Sequence, residues 1–134
     1  MKEKIKVHAF GVKHLEKSGE LQDLLLQIDD DDLDKRVRSI GFSDIRIENV
    51  KNENGLFYFD FGKFRDQHGP GKASIGKPTE GFDFQDGEVF CEETACLYIP
   101  KSKHLIVQYN HHGTRIGLIQ SYLSSYDQNN IYTF

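Results

Sequence analysis

At 134 residues the chain has the size of one domain and can bury roughly two-thirds of the surface that its unfolded form exposes. Hydrophobic residues at 37% and charged residues at 28% exclude a disordered tail, and ten Phe with six Tyr supply core bulk in the absence of Trp. The net charge of −4 excludes a protein that coats nucleic acid by bulk electrostatics, so any phosphate contact must be local.

No apolar run approaches the ~18 residues of a membrane span, and Met1 to His8 is no signal-peptide core. The chain reads as cytoplasmic, with no membrane partner. Ile5, Val7 and Ala9 alternate with Lys4, Lys6 and His8, the period of a half-buried strand whose lysines suit a sheet edge. Leu21, Leu24, Leu25 and Ile28 then share one helical face, with Ser18 as N-cap and Leu26 partly covered. Carboxylates at Asp29 to Asp32 oppose the dipole at a helix C-terminus, so this helix is expected to stop by about Asp30.

Ile45, Ile47 and Val50, separated by charged residues, face the run from Leu56 to Phe61 across Asn52-Glu53-Asn54-Gly55. Asn-Gly takes positive φ at little cost, which predicts an antiparallel hairpin. Phe82 to Phe84 has the composition of a short strand. A second hairpin is predicted from Thr94 to Pro100 and His104 to Asn110, closed by Lys101-Ser102-Lys103, with Ala95, Leu97 and Ile99 set against Leu105, Val107 and Tyr109. Thr114 serves as N-cap to a helix over 115–126, where Ile116, Ile119, Leu123 and Tyr126 form a stripe. Together these elements predict an α+β fold: an antiparallel twisted sheet of about five or six strands with two helices packed on one face. Residues 1–126 make one domain, and 127–134 read as a linker or the start of a further element.

The stretch from Gly62 to Pro78 holds Lys63, Arg65, Lys72 and Lys77 with Asp66 as its only acid. Its glycines and prolines forbid a regular helix and disfavour a long central strand, so the four cations are expected on an irregular loop able to grip an anion. This is no nucleotide-hydrolysing loop, because Gly71-Lys72-Ala73 lacks the Ser or Thr that follows the lysine in that motif. Tyr109, His111, His112 and Arg115 cluster after the last strand as candidate partner contacts. Adjacent histidines on a strand point to opposite faces, so His111 and His112 do not chelate one metal in regular β geometry. Cys91 and Cys96 match neither a redox pair nor a zinc knuckle and read as structural thiols. No catalytic residue, metal or cofactor is assigned.

The block Glu92 to Tyr98, then Leu105 to Asn110 and Gly113 with a helix after it, resembles a bacterial family of unknown function over most of residues 5–126. The order of elements also resembles the N-terminal regions of phage-exclusion and phage-defence proteins, including the DNA-binding Rex exclusion protein A. That resemblance implies an accessory domain that binds nucleic acid or a phage protein, with a further domain following. The expected function is therefore a non-enzymatic binding module contacting nucleic-acid phosphate through Lys63, Arg65, Lys72 and Lys77. Its alternative is a protein-interaction or self-association module, and a metal-dependent nuclease relying on Asp60 or His112 ranks below both.

Overall fold

The computed structural model describes residues 5–14, 20–65, 72–74, 77–80, 90–110, 113–126 and 132–133; of His14, Arg65, Phe90 and residues 72–74, 77–80 and 132–133 it describes the backbone alone. In chain order the elements are β1 (Val7–Gly11), β2 (Lys13–His14), α1 (Leu21–Asp30), a 3-10 turn (Leu33–Arg36), β3 (Arg38–Ile40), β4 (Ser43–Glu53) and β5 (Leu56–Arg65). They continue with β6 (Lys72–Ser74), β7 (Lys77–Glu80), β8 (Phe90–Ile99), β9 (His104–Gln108), α2 (Ile116–Tyr126) and β10 (Tyr132–Thr133). Six strands form one antiparallel sheet in the order β1-β9-β8-β5-β4-β3, while β2 pairs with β10 and β6 with β7.

The sheet has an unlike pair of faces because its strands alternate. Phe57, Phe59 and Phe61 of β5 lie with Ile45, Ile47, Cys96, Tyr98, Leu105 and Val107 on the face covered by Leu21, Leu24, Leu25 and Ile28 of α1 and by Ile119, Tyr122 and Leu123 of α2. Phe61 meets the ring of Tyr122 edge-on at 5.3 Å and 88°, the arrangement that the aromatic quadrupole favours. The opposite face carries no helix among the described residues. The expected α+β architecture is what the chain adopts.

Both hairpins form. Asn54 and Gly55 have φ of 54° and 76°, the two positive values a two-residue primed turn requires between Glu53 and Leu56. In the second hairpin Ile99 pairs with His104, so the loop has four residues, not three, and Lys103 takes φ 56°. That one-residue difference reverses the expected face of β8: Cys96 and Tyr98 oppose Val107 and Leu105 in the core, and Ala95 and Leu97 turn outward. β1 is the expected edge strand with the opposite phase. Ile5 and Val7 are 65% and 56% exposed, whereas Phe10 and Val12 pack toward the core.

α1 ends at Asp30 as expected, with Leu26 44% exposed and Glu20 at the N-cap position; Ser18 lies outside the described residues, as does 82–84. The acid run after the helix is answered by Arg36, which is buried. Its guanidinium donates to the carbonyls of Asp29 (2.7 Å), Asp31 (2.9 Å) and Glu48 (2.8 Å), joining the C-terminus of α1 to a bulge in β4 between Ile47 and Val50. Both segments leave backbone carbonyls without helix or ladder partners, and a five-donor fork suits them. Tyr122 completes the junction, donating to the carbonyl of Arg36 (2.6 Å) and accepting from the N–H of Ile47 (3.2 Å).

Candidate functional site

The connection from β9 to α2 builds the most suggestive site. After Gln108 the chain leaves the ladder, and Tyr109 donates its N–H to the carbonyl of Lys6 at 2.7 Å, holding it beside β1. Asn110 reaches across to donate its side-chain amide to the Glu93 carbonyl (3.1 Å), and Thr114 donates its N–H to the Thr94 hydroxyl (3.0 Å). Gly113 sits between these two tethers. A Cβ there would run into the Thr94 hydroxyl oxygen and stand 2.9 Å from Nδ2 of Asn110, so glycine lets the crossover lie flat on β8.

Tyr109 is the centre of an aromatic and cationic group. Lys6 Nζ lies 5.6 Å and the Arg115 guanidinium 5.5 Å from its ring centroid, and Arg115 is also 3.4 Å from its hydroxyl. The His8 ring stands 5.7 Å from Tyr109 and 6.3 Å from Phe10, with 26° between the His8 and Phe10 planes. His8, Phe10, Tyr109 and Arg115, with Val107, Gln108, Asn110, Thr114 and Ile116, line a cavity of about 180 Å³, and among the described residues no carboxylate lines it. Thr114 lines it too but caps nothing: its buried hydroxyl makes no hydrogen bond among the described residues, and α2 starts at Ile116.

Thus Tyr109 and Arg115 are brought together, while His111 and His112 lie outside the described residues. His8 and Phe10 do not stand out in the sequence, because Ile5, Val7 and Ala9 form the more apolar face of the strand. The other candidate cations need a correction. Lys63 and Arg65 belong to β5, a ten-residue interior strand, and Lys72 and Lys77 lie in the paired strands β6 and β7, not on irregular backbone. Gly62 does not break β5. A Cβ on it would meet Oε1 of Glu48 at 2.5 Å and Sγ of Cys91 at 2.8 Å, so the glycine makes room for side chains packed across the sheet.

Antiparallel order sets the C-terminal ends of β5 and β9 and the start of β1 at the same end of the sheet. β5, with Lys63 and Arg65 in its last three residues, therefore ends at the side of the sheet where Lys6, Tyr109 and Arg115 gather. Lys63 is paired directly with Glu92, which offsets part of its field. On the open face Arg46 donates to Glu48 at 2.9 Å, and burial together with Glu48 raises the pKa of Asp60. Cys91, on that face, is held above the ordinary thiol value by burial and by Glu48 and Glu93, which disfavours a reactive thiolate. Cys96 faces the core, and the same desolvation raises it much further. Among the described residues no three His, Cys, Asp or Glu come together as metal ligands, and no helix is long and apolar enough to cross a membrane.

A family of unknown function, DUF6731, matches residues 10–133. The chain belongs to that family. No curated protein and no solved structure matches it, and no link to phage-exclusion proteins is shown. The DUF6731 match spans the sheet from within β1, both helices and the whole β9 to α2 crossover.

Proposed function

We propose that this DUF6731 protein is a non-enzymatic binding module that grips a single strand of nucleic acid at one end of its sheet. The observation that carries the reading is the Tyr109 ring flanked by Lys6 and Arg115 at the mouth of an apolar cavity. Single-strand binders combine aromatic platforms for bases with cations that follow the phosphates. In this reading Lys63, Arg65, Lys72 and Lys77 also meet phosphate, and the acidic remainder of the chain keeps the contact local. A role in bacterial phage exclusion belongs to the same proposal, supported by the sequence resemblance in element order. Fluorescence anisotropy with labelled single-stranded DNA, RNA and duplex DNA tests it. Preference for a single strand, weakened about tenfold in the Lys6→Ala, Arg115→Ala double variant, is expected; duplex preference or no binding contradicts it.

A second reading has its own observation. Ile5, Val7 and Tyr58 on the open sheet face are 65%, 56% and 41% exposed, and Ala95, Leu97 and Ile106 surround them. An apolar face of this kind suits a protein partner or self-association. Light scattering after size exclusion separates the two: a concentration-dependent dimer disrupted by Val7→Lys favours the second reading.

A further inference from the structure

We infer that the cavity between β1, β9 and the start of α2 receives one flat ring of a ligand that also carries a negative charge, the chemistry of a nucleotide. This rests on the nucleic-acid reading and adds the size and lining of the cavity to it. The first observation is size. An apolar cavity of roughly 150 Å³ takes up a benzene ring, and this one, at about 180 Å³, admits one ring with few substituents.

The second is its lining. His8, Phe10 and Tyr109 present ring faces and edges, while Val107 and Ile116 supply aliphatic contact. A base stacks on such surfaces whatever its sequence. The third is charge. Arg115, which lines the cavity, and Lys6 lie over the half-exposed Tyr109 ring, where a phosphate would sit. Among the described residues no carboxylate lines the cavity.

Two sources present this chemistry, a base within a strand and a free mononucleotide. The test compares a short single-stranded oligonucleotide, the same strand made abasic, and a nucleoside 5′-monophosphate, with NMR signals of the His8 and Tyr109 rings as a local readout. The intact strand is expected to bind about five- to a hundred-fold tighter than the abasic one. His8→Ala and Tyr109→Ala, both at exposed positions, should each shrink that preference. Ring signals moved by the mononucleotide alone, with no strand binding, would keep the cavity and remove the strand from the proposal. Equal affinity for intact and abasic strands, with ring signals unmoved by the mononucleotide, overturns the inference; strand binding that persists in that case leaves the nucleic-acid reading standing without it.

Discussion

Arg36 is the side chain whose role follows most directly from elementary physics. A helix whose end runs into four consecutive aspartates has exposed carbonyls and the wrong charge beside them, and the buried guanidinium answers both. Arg36→Met keeps volume but strands those carbonyls and the bulge, so a stability loss on the order of 3 kcal/mol or more is expected in urea titration. Tyr122→Phe should cost about 2 kcal/mol by unpairing the Ile47 N–H and the Arg36 carbonyl. A loss below half a kcal/mol in both would contradict the junction. Asp60 carries a pH effect of opposite sense. Its folded pKa lies above the ordinary 3.8, so its contribution is most favourable below that value and is lost as pH rises through the raised one. Asp60→Asn is therefore expected to raise the melting temperature at pH 7, with the gain shrinking as pH falls toward 4.

Among the elements, turn chemistry and helical periodicity were legible in the sequence, and strand phase was not. Asn54-Gly55 names its turn because few other pairs take positive φ twice, and four of the five apolar residues of α1 share a face with no competing stripe. β1 and β8 carry apolar residues on both faces, so alternation alone does not say which side meets the helices, and the four-residue loop before β9 decided it for β8. Gly62 misled for a different reason. A glycine that punctuates a loop and one that makes room for Glu48 and Cys91 inside a strand look alike until the neighbours are known. The same logic makes Gly113 a test of the crossover. Gly113→Ala is expected to cost about 1–3 kcal/mol by pushing against Thr94 and Asn110, and to weaken strand binding by displacing Arg115. Unchanged stability and binding would show that the crossover tolerates displacement.

At the scale of the whole molecule, the proposed contact is local: in an acidic chain, Lys6, His8, Phe10, Tyr109 and Arg115 gather at one end of the sheet. The gathering was only partly visible beforehand. Tyr109 and Arg115 are close in sequence, but Lys6, His8 and Phe10 join them only because β1 pairs with β9, a contact spanning about a hundred residues of chain. Phosphate contacts release condensed ions, so they can be counted. The measurement to make first is the affinity for a single strand across a salt series, for the native chain and for a variant with Lys63, Arg65, Lys72 and Lys77 all changed to Ala. Three or four contacts from those cations give a log–log slope difference of about 2 to 3 between the two proteins, and that difference is the expected result. Parallel slopes, or no binding at low salt, would contradict the account and turn attention to the open apolar face.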